Sequence, residues 1–93
     1  MVRSDTPWNI LFTKSALKDA RKVQSSGLAK SVDKILDVLE ENPFQNPPPF
    51  EKLCGNLSGC FSRRINIQHR VVYEVDTDTR TVTVFRMFTH YAE

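Results

Sequence analysis

No apolar run in this chain approaches the ~20 residues of a membrane span, and no secretory leader opens it. Both absences point to a protein of the cytoplasm. Glycine is scarce, with three residues in 93, and no internal repeat or low-complexity tract is present. There are only two cysteines, Cys54 and Cys60. In a cytoplasmic chain these read as free thiols rather than a bridge. The five residues between them exceed the short cysteine spacing of structural zinc sites, so a metal centre with His69 and His90 is not expected. A formal charge of +2 falls well short of what marks an obvious nucleic-acid binder. The most telling absence is local. From Cys54 to Tyr73 there is no Asp or Glu, although Arg63, Arg64, Arg70 and His69 all lie there. Acids and bases are mixed everywhere else. An uncompensated cationic stretch asks for an anionic partner.

That stretch has the pattern of a turn (Asn56 to Gly59), a strand, a polar reversal and a second strand. Phe61, Ile65, Val71, Tyr73 and Val75 form an apolar set; Ser62, Arg64, Asn66, Arg70, Val72 and Glu74 form a mostly polar one. Residues opposite one another in an antiparallel pair share a face. A two- or four-residue loop would set Arg64 against a core valine or tyrosine. An odd loop, of three residues (Ile67 to His69) or five, gathers the apolar set on one face and brings Arg64 and Arg70 together on the other. Burial of one face favours the odd loop.

At 93 residues the chain makes a single domain with one modest core. Residues 1–7 read as a loose leader and 8–93 as the domain. Over residues 8–12, large apolar side chains alternate at Trp8, Ile10 and Phe12, which suits an opening strand, and Thr13 is placed to cap a helix from Lys14 to about Ser25. Gly27 breaks that run. Leu28, Val32, Ile35, Leu36 and Leu39 then mark a second helix, from about Leu28 to Glu41, which Pro43 stops. Lys14, Lys18, Arg21 and Lys22 fall on the wet side of the first helix. The proline-rich segment from Asn42 to Pro49 is a stiff connector. It delivers Phe50-Glu51-Lys52-Leu53, whose apolar members read as anchors. Asp76 to Thr79 reads as an Asx turn, and Thr81 to Phe88 as the last strand. The order β-α-α-β-β-β, with room for an extra short strand, is α+β, its C-terminal half an antiparallel meander.

Taken together, Asn42-Pro43-Phe44, Phe50-Glu51-Lys52-Leu53, Asn56-Leu57-Ser58-Gly59, Ser62-Arg63-Arg64-Ile65, His69-Arg70-Val71-Val72-Tyr73 and a terminal His90-Tyr91 resemble the YoeB/Txe toxins of the RelE-like superfamily. The resemblance spans roughly residues 8 to 91. It implies two N-terminal helices packed on a curved, mainly antiparallel sheet. It also implies the toxin of a type II toxin–antitoxin system, an endoribonuclease that needs no metal or other cofactor. Such a toxin enters the A site of the 70S ribosome, cleaves messenger RNA there, and is restrained by a YefM/Axe-like antitoxin. Self-pairing into a homodimer is left open.

Residue by residue, the resemblance makes Glu51 the general base toward a ribose 2′-hydroxyl, Arg70 the phosphate-stabilising arginine and His90 the general acid. Tyr91 matches the tyrosine beside that histidine, and Arg64 a further basic position near the RNA. Arg63 and His69 join the cationic face as RNA contacts, His69 doubling as a turn residue. The chemistry is consistent with the residue types. Between Phe50 and Leu53, Glu51 is expected to be partly desolvated, which favours a base. A guanidinium fork matches two phosphate oxygens, an imidazole titrates near working pH, and a tyrosine can stack on a splayed base. Cys54 stands where some family members carry lysine, and Ala92-Glu93 extend past the His-Tyr end. Two other readings compete: a ParE-like toxin that acts by binding a protein, and an RNA-binding module that blocks translation without cutting. An acid and a base present together favour the nuclease, since a pure binder needs neither.

Overall fold

The computed structural model describes residues 7–53 and 59–89, with the backbone alone at Thr89. Residues 1–6 of the expected leader, Cys54, most of the Asn56 to Gly59 turn, and His90, Tyr91, Ala92 and Glu93 lie outside the described residues. Strand β1 (Asn9–Phe12) leads into helices α1 (Lys14–Ser25) and α2 (Ala29–Glu41). Then come β2 (Glu51–Lys52), β3 (Cys60–Arg64), β4 (Arg70–Asp76) and β5 (Thr81–Thr89). The sheet order is β1-β5-β4-β3-β2. All neighbours are antiparallel except β1, which runs parallel to β5. The opening strand thus crosses over through both helices to the far edge. The extra short strand is β2.

Each helix forms for reasons visible in its residues. The Thr13 hydroxyl accepts the Ala16 N–H at 3.1 Å, capping α1. It also donates to the Phe85 carbonyl at 3.1 Å, tying the cap to β5. Gly27, at φ +77°, takes the left-handed turn after α1 that an L side chain resists. Both helices bury one stripe, Ala16 and Val23 from α1 and Val32, Ile35 and Leu39 from α2. These meet Val71, Tyr73, Val82 and Val84 on one face of the sheet. No helix among the described residues is long and apolar enough to cross a membrane. The Asp76 carboxylate accepts the Asp78 N–H at 3.0 Å, the Asx turn expected there.

The cationic hairpin takes the odd register. Arg64 is the partner of Arg70, leaving a five-residue loop over 65–69, and Phe61 pairs with Tyr73 on the core side. The polar face is less wet than the pattern implies, because Ser62 and Val72 are both buried. On β5 the inward positions go from Val82 and Val84 to Met87. The register against β4 slips between Val72 and Tyr73, pairing Val84 with Tyr73 but Arg86 with Val72.

Beside that slip sits a buried carboxylate with no local signal along the chain. Asp19 on α1 is 2% exposed. It accepts from Arg86 Nε at 2.7 Å and Nη2 at 3.2 Å, and from the backbone N–H groups of Met87 and Phe88. Burial pushes its carboxyl up, but the Arg86 hydrogen bond, the backbone donors and the Arg86 charge together hold it below its ordinary 3.8. Stability from this group is therefore fully present above the unfolded value and is lost as pH falls through the lower folded value. Asp19→Asn is expected to cost about 2–3 kcal/mol at neutral pH. The difference from wild type should begin to shrink as pH falls below about 4, where the unfolded chain's carboxylate takes up a proton, and should be lost as pH falls through the lower folded value. Urea unfolding of both proteins from pH 7 to pH 2 measures this. A constant difference across that range would mean that the Asp19 charge contributes nothing.

Candidate active site

The proline-rich connector places Glu51 through an interior cation. Arg63 was expected on the cationic face as an RNA contact, but alternation puts it on the core side with Phe61, where it is 1% exposed. Its Nε donates to the Tyr73 hydroxyl at 3.0 Å, and its terminal nitrogens donate to the carbonyls of Pro43, Gln45 and Pro48 at 2.6–2.9 Å. Its Cζ lies 4.8 Å from the Phe50 ring centre. No carboxylate is among these partners. The guanidinium holds the connector by carbonyl oxygens and one aromatic face, all of which it satisfies at once. Phe44 and Phe50 pack edge-on against Phe61, and Phe61 stacks on Tyr73. With the connector seated, β2 pairs with β3 and Glu51 comes opposite Ser62.

Glu51 points away from that anchor. Phe50 turns inward, and Glu51, the next residue of an extended chain, turns out onto the other face. Its side chain is 64% exposed. The expected desolvation between Phe50 and Leu53 therefore does not occur: Phe50 lies on the opposite face, and the Glu51 carboxylate stays open to solvent. Arg70 reaches back from β4 across β3. Its Nη1 lies 2.9 Å from Glu51 Oε1 and 3.2 Å from the Ser62 hydroxyl, which accepts. Arg64 is exposed at the rim. Glu51, Ser62, Arg64 and Arg70 line a cavity of about 290 Å³ with Pro49 and Phe50.

Of the remaining expected residues, His69 closes the hairpin loop, its carbonyl accepting from Ile65 at 2.8 Å. Its ring stacks on Phe88, with centres 3.9 Å apart. That places it in the turn, with one face covered. His90 and Tyr91 lie outside the described residues, but β5 ends at Thr89, the partner of Arg70. Cys60 is a free buried thiol; burial, and then the Glu74 charge, push it up and away from reactivity. Alternation assigns Ser62 to the polar face without giving it a role in the site. Its signal was its place two residues before Arg64, on the same side of the same strand.

The structure thus joins an acid, a guanidinium and a hydroxyl on the hairpin and connector, where the sequence resembles one toxin family. The model of that family, the YoeB-like toxins of bacterial type II toxin–antitoxin systems, matches residues 12–91. The chain belongs to this family.

Among YoeB relatives, the toxin of Escherichia coli O6:H1 (strain CFT073) is 36% identical over 64 residues, covering 69% of this chain and 74% of that protein. The YoeB/ParE toxin from Agrobacterium tumefaciens superposes with a TM-score of 0.80 at 26% identity, over 89% of this chain and 99% of that one. YoeB in its complex with YefM from Staphylococcus aureus superposes at 0.76 with 32% identity, over 90% of this chain and 98% of that one. The YoeB dimer from the same organism gives 0.77 at 32% identity, with the same coverage. Two helices on a mixed, mainly antiparallel sheet of five strands are therefore the YoeB arrangement. This chain is a toxin of a type II toxin–antitoxin system.

Proposed function

We propose that this toxin is a ribosome-dependent endoribonuclease that cuts messenger RNA in the A site without a metal. The observation that carries the reading is the Glu51–Arg70 pair, 2.9 Å apart at the mouth of a cavity rimmed by Arg64. The β5 strand ends beside Arg70 at Thr89, to which His90 is joined. In the reaction, Glu51 takes the proton of a ribose 2′-hydroxyl and the 2′-oxygen attacks the adjacent phosphorus. Arg70 stabilises the added charge on the nonbridging oxygens. His90 protonates the departing 5′-oxygen, leaving a 2′,3′-cyclic phosphate on one fragment and a 5′-hydroxyl on the other. Arg64, His69 and Tyr91 contact the RNA around this centre.

At rest, Glu51 and Arg70 neutralise each other. An ion pair this exposed is worth about 1 kcal/mol or less, so an incoming phosphodiester can take Arg70 and release the carboxylate to act as base. The cationic rim would be covered by an acidic segment of a YefM-like antitoxin.

The test is to add the toxin to translating ribosomes and map the new RNA ends. Wild type should give cuts in the A-site codon with a 5′-hydroxyl on the downstream fragment, and a cognate antitoxin should prevent them. Glu51→Gln should reduce cutting by about 10²-fold or more. Stalled translation over intact message would sink the nuclease reading and leave a binding toxin.

A further inference from the structure

A second groove opens beside the first, on the other side of Arg64. It measures about 500 Å³ and runs between α2, the connector at Pro48 and the base of the hairpin at Ile65. Lys34, Ile35 and Val38 of α2 line it, at the spacing that brings helix residues onto one face. Its walls are apolar at Ile35, Val38, Pro48 and Ile65, and its polar groups are few: Lys34, Asp37, Ser31 and Arg64. A concave apolar site of ~300–1,000 Å³ with a few placed polar groups is the usual form of a small-ligand pocket. Arg64 lines both cavities, so a strand lying along the proposed reaction cavity continues over Arg64 into the groove.

The side chains decide what the groove takes. A phosphate track would be lined by cations alone, whereas here a carboxylate shares the site with a lysine. An apolar slot takes the face of an unstacked base, which is how proteins read single-stranded RNA. A carboxylate beside it accepts hydrogen bonds from an amino group on the base edge. Adenine, cytosine and guanine carry such a group and uracil does not. Lys34, one turn from Asp37, offsets the charge of the carboxylate toward the RNA backbone.

From this we infer that the α2 groove is a base-reading subsite for a nucleotide flanking the cut, in which Asp37 disfavours uracil. The inference rests on the nuclease reading and adds a specificity element to it. Asp37 and Lys34 are exposed side chains outside the core, so their variants keep the fold.

The experiment uses ribosome-bound messages identical except for the nucleotides on either side of one A-site cut, with all four bases tried at each. Wild type should cut uracil-bearing messages about tenfold more slowly at one flanking position. Asp37→Asn should bring uracil to within about twofold of the other bases, since the amide offers uracil carbonyls a donor. Lys34→Glu should slow all messages alike and leave the preference in place. If wild type cuts every message equally, or the preference survives Asp37→Asn, the subsite is overturned while the nuclease reading stands. If Asp37→Asn and Lys34→Glu change only antitoxin affinity, the groove is a protein contact and the subsite is overturned. If wild type cuts nothing, the nuclease reading fails first and the subsite falls with it.

Discussion

Arg70→Ala is expected to slow cleavage of ribosome-bound message by about 10²–10³-fold, the usual loss when one preorganised donor to a developing oxyanion is removed. The loss should lie in the single-turnover rate at saturating toxin, because the extra charge on phosphorus exists only in the transition state. Arg70→Lys should recover a small part of it. An ammonium restores charge, but not the planar fork that meets two phosphate oxygens. Stability should barely move. The Glu51 partner of Arg70 is 64% exposed, and pairs of that kind contribute about 1 kcal/mol or less. Rate and melting temperature measured on the same preparations therefore separate chemistry from folding. An Arg70→Ala protein that cuts at the wild-type rate would remove Arg70 from the phosphate and leave the cavity without its proposed purpose.

The opposite pattern is expected one strand position beyond the active face. Arg63→Ala deletes a cation that is 1% exposed and strands the carbonyls of Pro43, Gln45 and Pro48 together with the Tyr73 hydroxyl. Leaving several buried acceptors unpaired, with a cavity among aromatic rings, should cost about 3–5 kcal/mol. For a domain of this size, that is a fall in melting temperature on the order of 15 °C or more. Arg63→Lys should be destabilised nearly as much, since an ammonium at a single point cannot span acceptors that a guanidinium reaches from three nitrogens. Burial, with the Arg63 charge and hydrogen bond opposing it, raises the Tyr73 phenol above its ordinary value. That keeps it protonated and available to accept from Arg63 at neutral pH. Thermal unfolding of Arg63→Ala and Arg63→Lys beside wild type decides the point. A wild-type melting temperature for Arg63→Ala would show that the connector is held by its aromatic contacts alone.

These two arginines show how far the sequence could be read. Alternation and an odd loop are enough to bring Arg64 and Arg70 together, and in the structure they are register partners. The helices, their capping threonine and the Asx turn were legible for the same reason: each depends on residues a few positions apart. Charge is usually a surface property, which groups Arg63 with the other arginines. Yet its position between Phe61 and Ile65 on an alternating strand already put it on the apolar side. Its burial became possible only because the connector supplies carbonyls to it from 15 to 20 residues away. The Asp19–Arg86 pair is separated by 67 residues and depends on β5 lying against α1. The parallel pairing of β1 with β5 is likewise a long-range outcome, with no local signal.

By itself, then, the sequence determined the kinds of elements, their order, the hydrophobic faces, the family and the cationic hairpin. Each of these follows from spacing along the chain or from residues matched in order. The tertiary structure decided which cation is a structural tie and which faces the cavity, and left Glu51 exposed rather than desolvated. It also set Ser62 beneath Arg70 and joined two cavities through Arg64. The physical reason is common to all of these. Burial and hydrogen bonding of a charged group depend on what the fold brings to it from distant positions, and the spacing of neighbours along one chain does not contain that information.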